Sequence, residues 1–308
     1  MKRLFLIAFI SFVVLGHSQD HSFTEKEVSV SNLLEGTLLE PSDSEEHVLA
    51  IIIAGSGPTD RDGNQNFLKN NSLKKLAEGL TKNGIATFRY DKRIVKQIRQ
   101  GNVDNNMMFD DFVNDAKDVL NHFKAKNKYS KIYLIGHSQG SLVGMLAADK
   151  LVDGFISLAG AGQNIGDVIV EQVTNMAPQL GEEAQKIVDK LKQGETTTDY
   201  PQALASVFNS GVQPFMINWM KYNPADIVKD LNIPILIING TKDLQVSIDE
   251  AKLLKQSNDN ATLELIENMN HVLFEIEGGD LENSKSYNES FRPISEHLIT
   301  TLTDFIKA

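Results

Sequence analysis

The segment 131–151, KIYLIGHSQGSLVGMLAADKL, contains the pattern that decides the fold. Its apolar start, 131–136, predicts a strand buried on both faces, and residues 141–151 have the pattern of a helix. Between them stands G-H-S-Q-G, a G-x-S-x-G turn centred on Ser138. Glycines on both sides of such a serine let neighbouring backbone pass close to it. The segment predicts a nucleophilic serine; the alternative is an ordinary glycine-rich turn.

Outward from this segment, strands and helices alternate along the chain. Strands are predicted at 48–54, 85–90, 131–136, 154–158, 233–239 and 261–266. Helices are predicted at 72–82, 109–125, 141–151, 248–256 and 294–306. An edge hairpin is expected over 27–39, around Glu35–Gly36, and an acidic loop before the last helix. This alternation indicates an α/β protein with a mostly parallel central sheet and helices on both faces.

About seventy residues separate the strands 154–158 and 233–239, far more than one crossover needs. Residues 162–230 carry several helical patterns broken by Gly and Pro. We interpret this insertion as a helical cap over the carboxyl edge of the sheet. The predicted core is then formed by residues 19–161 and 231–308.

Composition excludes several classes of function. The 308 residues contain no Cys, which rules out thiol nucleophiles and thiolate metal sites. A formal net charge of −11 argues against nucleic-acid partners, because those require phosphate neutralisation. No H-E-x-x-H, P-loop or Rossmann pattern is present. We therefore expect neither a metal nor another cofactor.

The first residues resemble an export signal. A basic start precedes the apolar run 4–15, and the small residues Gly16 and Ser18 occupy the positions before a cleavage site. The run is shorter than a membrane-spanning helix requires, although an anchoring helix is the alternative. The pattern predicts removal of residues 1–18, a mature chain without a stable membrane span, and a periplasmic or secreted location.

A nucleophilic serine needs a histidine as base and a carboxylate to orient that histidine. His271 follows the last predicted strand, and Asp243 follows the strand 233–239 directly. Both therefore fall at the carboxyl edge where open α/β sheets place their sites. The order Ser138, Asp243, His271 is that of an α/β-hydrolase triad. The alternatives are a surface loop histidine, a turn aspartate, and Glu267 as the acid.

Acyl transfer also requires donors for the developing oxyanion. The backbone N–H of Gln139 is one candidate, and that of Ser56, in the loop 54–64, is the second. Charged side chains in this loop are expected to brace it, with a solvated turn as the alternative; they are Asp60, Arg61 and Asp62. Five cap residues could line a substrate pocket or simply pack the cap: Met176, Phe215, Met216, Trp219 and Met220.

Several stretches together resemble the α/β-hydrolase superfamily, in particular the bacterial exported esterase and serine-aminopeptidase-like subgroup. They are G-S-G-P-T-D-R-D at 55–62, F-R-Y-D-K-R at 88–93, the turn 136–140, I-N-G-T-K-D at 238–243 and N-H at 270–271. The resemblance covers nearly the whole chain beyond the signal. It implies a sheet of about eight strands, a helical cap after the sixth strand, and serine hydrolysis of esters without a cofactor.

The chain departs from the subgroup's pattern in three places. The oxyanion loop begins Ala54-Gly55 where His-Gly is usual, which affects only how the loop is braced. Residues 94–96 replace a glycine-rich turn, so this loop is expected to be helical and to narrow the pocket. The acidic stretch 275–289 is longer than expected.

These observations favour a serine hydrolase that cleaves carboxylic esters of short to medium acyl chains through an acyl-enzyme. The first alternative is an aminopeptidase-like amide hydrolase, which would need an acidic cap residue for the substrate amine. The candidates for that residue are Glu171, Glu182 and Glu183. The second alternative is a binding protein that keeps the fold without the reaction. The expected partner in the main hypothesis is a small-molecule ester, and the oligomeric state is not predicted.

Overall fold

The computed structural model describes residues 23–42, 47–148 and 152–308 and forms an eight-stranded sheet. The predicted signal, 1–18, lies outside the described residues. The strands are β1 Phe23–Ser29, β2 Glu35–Pro41, β3 His47–Ile53, β4 Ala86–Tyr90, β5 Tyr129–His137, β6 Gly154–Leu158, β7 Ile235–Gly240 and β8 Thr262–Ile266. They lie side by side in the order β1-β2-β4-β3-β5-β6-β7-β8, and only the β1–β2 and β2–β4 pairs are antiparallel. The mostly parallel α/β sheet predicted from the sequence is confirmed.

Helices connect the strands and cover both faces of the sheet. Those outside the insertion are α1 Ser72–Lys82, α2 Arg93–Gln100, α3 Phe109–Ala125, α4 Gln139–Ala147, α10 Ile248–Ser257, α11 Asp280–Ser286 and α12 Glu296–Lys307. Those between β6 and β7 are α5 Ile165–Met176, α6 Gly181–Lys192, α7 Ala205–Phe208, α8 Gln213–Trp219 and α9 Pro224–Lys229. Within the described chain, no helix is long and apolar enough to cross a membrane.

Strand β3 shows why the central strands have continuous apolar sequences. Leu49 and Ile51 join the hydrophobic cluster that contains α3, whereas Ala50 and Ile52 join the cluster that contains α1 and α12. Successive side chains of a strand point to opposite faces, so a strand covered on both faces needs apolar residues at every position. This packing places the loop after β3 against the carboxyl end of β5.

Three predictions of secondary structure differ from the structure. The hairpin turn lies at residues 30–34 rather than at 35–36, because Val30 donates to the Leu34 carbonyl. The helix after Ser138 ends at Ala147, and residues 149–151 lie outside the described chain. Part of the predicted acidic loop is helix α11.

The loop at residues 94–96 is helical, as α2, but α2 does not narrow the predicted pocket. None of its residues lines either cavity beside Ser138. Instead its side chains contact the charged groups at the end of β4; Arg99, for example, pairs with Asp91 at 2.6 Å.

Candidate active site

Ser138 occupies a strained turn between β5 and α4. Its φ is 54° and its ψ is −121°, a backbone conformation that costs roughly 1–3 kcal/mol in a non-glycine residue. A Cβ at Gly136 would lie 2.2 Å from the Gly140 carbonyl oxygen, and one at Gly140 would lie 2.3 Å from the Ile53 carbonyl oxygen. The two glycines are therefore required for α4 to start immediately after β5 and to pass the end of β3.

His271 and Asp243 form a buried hydrogen-bonded pair. Nδ1–H of His271 donates to Oδ2 of Asp243 at 2.7 Å, and the two side chains are 5% and 1% exposed. The other carboxylate oxygen, Oδ1, accepts the backbone N–H groups of Gln245 at 2.7 Å and Val246 at 2.9 Å. With Nδ1 donating, Nε2 is the imidazole nitrogen left to accept a proton from a substrate or a serine.

Two cavities meet at Ser138. The larger, of about 200 Å³, is lined by Ser138, Ser56 and Gln139 together with residues from the helices between β6 and β7. The smaller, of about 70 Å³, is lined by Ser138, Ser56 and His271. The structure thus brings the predicted nucleophile, base and oxyanion donors to one place, with Asp243 behind His271.

The two predicted oxyanion donors lie in the loop after β3 and at the start of α4, and both residues line the larger cavity. Ser56 uses its carbonyl oxygen to accept from Thr59 at 2.7 Å and Gln65 at 2.9 Å, which fixes the loop after β3. Within the described chain, the backbone N–H of neither Ser56 nor Gln139 donates to another residue. These N–H groups are available to a ligand oxygen beside Ser138.

The three charged residues of the loop after β3 line neither of the two cavities, and their hydrogen bonds hold the loop. Asp60 accepts from the backbone N–H groups of Asp62 at 2.9 Å and Asn64 at 2.8 Å. Arg61 donates to Asp91 at 3.0 Å, and Asp62 accepts from Arg89 at 3.0 Å. Arg61 and Asp62 thus connect the loop to the end of β4 by charge-assisted hydrogen bonds, whereas Asp60 stabilises the loop itself.

Of the five candidate pocket residues, the structure brings one to a cavity beside Ser138. Trp219 lines the larger cavity. Met176 is 88% exposed and lines a groove that adjoins this cavity. Phe215, Met216 and Met220 pack in the hydrophobic cluster of the inserted helices, as the alternative predicted. Most of the apolar wall of the larger cavity is formed by residues at other positions: Leu142, Ile165, Val168, Ile169, Pro224 and Val246. Helical periodicity identified the packed face, not the face toward Ser138.

Three further residues support the site and were missed from the sequence. His137 lies against His271, with ring centroids 4.9 Å apart, and its Nε2–H donates to the His271 backbone carbonyl at 2.8 Å. Asn270 donates to Asn283 at 2.9 Å and Ser286 at 2.8 Å, so α11 holds the turn that carries His271. The third residue is the buried Lys92.

Two signals in the sequence could have found them. Both His137 and Asn270 adjoin a candidate catalytic residue, and Lys92 lies inside the F-R-Y-D-K-R stretch. His137 directly precedes the predicted nucleophile in the sequence, but its ring contacts the predicted base.

The protonation of His137 predicts a pH dependence of stability. Burial, together with the nearby His271, lowers the pKa of His137 to about 4, from 6.5. Between those pH values the unfolded chain binds a proton at His137 and the folded chain does not, so acid favours unfolding. We expect His137 to contribute roughly 3 kcal/mol to the loss of stability between pH 6.5 and pH 4.

Urea denaturation of the wild type and His137→Phe over this pH range measures the contribution. The difference in the free energy of unfolding between the two proteins should shrink as the pH falls, because only the wild type can bind a proton at residue 137. The control is Ser141→Ala, a buried change that removes no titrating group and should keep the wild-type slope. Parallel curves for the wild type and His137→Phe would contradict the prediction.

Similarity to known proteins agrees with this fold. Residues 70–209 match the serine aminopeptidase S33 family, a span that includes Ser138 but ends before Asp243 and His271. Esterase EstD from Thermotoga maritima is 27% identical over 267 residues, which cover 83% of this chain and 62% of the relative. The chain therefore spans less than two thirds of this relative's length.

Two solved structures share the architecture. Est1E from Butyrivibrio proteoclasticus has a TM-score of 0.57 at 16% identity, with coverage of 92% of this chain and 99% of its own. The Pyrococcus furiosus esterase Pf2001 has a TM-score of 0.55 at 17% identity, with coverage of 98% and 95%. The sheet order and these structural similarities show that the chain has the α/β-hydrolase fold.

Proposed function

We propose that this protein is a serine carboxylesterase that acts through Ser138, His271 and Asp243. The observation that carries the proposal is the 2.7 Å bond between buried His271 and Asp243, next to a cavity shared with the strained Ser138. A scaffold that only binds has no need for this arrangement. Similarity to esterase EstD over most of the chain supports the same reaction.

In the proposed reaction, Ser138 Oγ attacks the ester carbonyl carbon and His271 Nε2 takes the hydroxyl proton. The carbonyl π electrons move to oxygen, where the N–H groups of Ser56 and Gln139 stabilise the charge. Collapse of this intermediate breaks the bond to the alcohol oxygen, which receives the proton from His271. Water then repeats the sequence on the acyl-enzyme and releases the acid and free Ser138.

The two cavities suggest how an ester is oriented. The leaving alcohol must lie on the His271 side, because the imidazole protonates its oxygen. The smaller cavity is on that side, and the acyl chain is then assigned to the larger, mainly apolar cavity. Its volume of about 200 Å³ is below the usual size of a drug-binding pocket, which supports short to medium acyl chains.

The amide-hydrolase alternative lacks its expected recognition group. An aminopeptidase needs a carboxylate for the substrate amine, yet in the described chain neither cavity beside Ser138 is lined by Asp or Glu. Glu171 lines a neighbouring groove that shares Val168 and Gln172 with the larger cavity, and its carboxylate accepts from Gln163 at 3.1 Å. Glu183 pairs with Lys186 on the outside of α6. We therefore favour esters, with residues 162–230 proposed as the cap over the acyl cavity.

Hydrolysis of p-nitrophenyl esters from acetyl to dodecanoyl tests the reaction. We expect turnover that falls for the longest chains and little cleavage of an aminoacyl p-nitroanilide. Ser138→Ala should lower kcat by at least about a thousandfold, since the nucleophile is lost. Ser141→Ala, three residues away and bonded to Ser157, is the matched control and should stay active. Preference for the anilide, or equal loss in both variants, would contradict the proposal.

The wall of the larger cavity predicts a change in chain-length preference. Trp219 lines this cavity and stacks on Phe109, with centroids 5.4 Å apart. Trp219→Leu should raise octanoyl turnover relative to acetyl about tenfold, because a few methylenes of extra space carry that much discrimination. Met216→Leu, a buried change in the same helix but not on the wall, should leave the ratio unchanged. An equal change in the ratio of octanoyl to acetyl turnover in both variants would contradict the assignment of the acyl chain to this cavity.

We also propose export of the chain through residues 1–18, on the basic start, apolar run and small residues of the sequence. The intact mass of the chain recovered outside the cytoplasm should correspond to a start at Gln19. Retention in the cytoplasm with Met1 or Lys2 still present would argue against export.

A further inference from the structure

Lys92 carries a buried ammonium group beneath the candidate oxyanion site. It follows Asp91 at the end of β4 and is 5% exposed. Its Nζ donates to the backbone carbonyl of Gly55 at 2.9 Å and to the side-chain Oε1 of Gln139 at 2.7 Å. The ammonium also lies 4.1 Å from the centre of the Phe112 ring. Two of the three donors of the ammonium are therefore bonded to oxygen atoms, and the aromatic ring lies close to the same group.

The bond to Gly55 controls the orientation of the Ser56 N–H. The Gly55 carbonyl and the Ser56 N–H belong to one peptide group, and the described chain contains no cis peptide bond. In a trans peptide the C=O and N–H point in opposite directions. A lysine that holds the carbonyl on one side therefore directs the N–H to the other side, where Ser56 lines the cavity beside Ser138.

The bond to Gln139 acts on the second donor. Gln139 is the residue after Ser138, and its side chain is 7% exposed. Because its side-chain oxygen is tied to Lys92, the start of α4 is joined to the loop after β3 through one ammonium group. One side chain thus links the peptide group that carries the Ser56 N–H to the residue that carries the second N–H.

A lysine at position 92 lowers the stability of the folded protein. Within the described chain it has no carboxylate at ion-pair distance, and the neighbouring Asp115 is engaged by Arg93 at 2.6 and 2.7 Å. Burial lowers the pKa of Lys92 to about 7, against the opposing effect of Asp115. A buried cation without an ion-pair partner destabilises a fold relative to an apolar residue of similar size. Packing alone therefore gives no reason for a lysine here.

We infer that Lys92 is a positioning residue for the oxyanion hole, holding the Ser56 and Gln139 N–H groups in the geometry that binds a tetrahedral intermediate. This inference rests on the proposed esterase function. Lys92 does not touch the substrate; it acts through the Gly55–Ser56 peptide and the Gln139 side chain. Its contribution belongs to the transition state, where the oxyanion charge is largest.

Kinetics of Lys92→Met test the inference. We expect kcat for a short p-nitrophenyl ester to fall between about 10- and 100-fold, somewhat less than when an oxyanion donor itself is removed. KM should stay within about threefold, because the neutral ester carbonyl gains little from the donors. The inhibition constant of phenylboronic acid, which forms a tetrahedral adduct with serine, should rise by the same factor as kcat falls.

Lys75→Met is the matched control. Lys75 also donates to two backbone carbonyls, those of Asn70 at 2.8 Å and Arg292 at 2.6 Å, and lies 4.6 Å from the Phe274 ring centre. It contacts neither oxyanion donor, so its replacement should affect stability but not kcat or boronic acid binding. Equal kinetic losses in Lys92→Met and Lys75→Met would overturn the inference.

Two results separate the possible failures. A wild type without ester turnover, with no loss in Ser138→Ala, would refute the proposed function. An active wild type whose kcat and boronic acid affinity survive Lys92→Met would refute only the role of Lys92. If Lys92→Met does not fold, Gln139→Met removes one of the two contacts and should lower kcat several-fold at constant KM. Unchanged kcat in Gln139→Met would then count against the inference.

Discussion

The tight turn at Ser138 is the constraint on which the rest of the site depends. A non-glycine residue at φ 54° stores strain, and it persists because the surrounding backbone leaves no other path. Gly136 and Gly140 make this possible, since a Cβ at either position would overlap a backbone carbonyl. The same absence of side chains brings the start of α4 against the end of β3. Ser138 and the loop after β3 are therefore neighbours for one steric reason.

The other site residues arrive from distant parts of the chain, and each is held by its own buried hydrogen bonds. The Asp243 carboxylate has three donors, His271 is in contact with His137, and the turn at Asn270 is tied to α11. A buried polar group without a partner costs about 1–3 kcal/mol, so these bonds restrict the loops to one arrangement. The side chains around Ser138 are thus held by hydrogen bonds within the protein itself.

Periodicity made most of the elements predictable. The helices α1 and α3 and the strand β6 have the predicted limits, because amphipathic or fully apolar repeats reflect local packing. The weaker predictions failed where tertiary contacts decide. Helix α11 is short and charged, and it is held through Asn283 and Ser286 rather than by an apolar face. The prediction of the pocket wall missed most of its residues for a related reason, since helical spacing does not show which apolar side chain faces a cavity.

The sequence by itself determined the class of fold, the turn at Ser138 and the order of Ser138, Asp243 and His271. These depend on local patterns: apolar strands, glycines beside one serine, and polar residues placed directly after strands. The tertiary structure alone decided which groups touch. It joined His137 to His271, brought Lys92 beneath both candidate oxyanion donors, and selected Trp219 from five candidate wall residues. Such contacts link residues far apart in the chain, and their energies depend on distances and burial that no local pattern encodes.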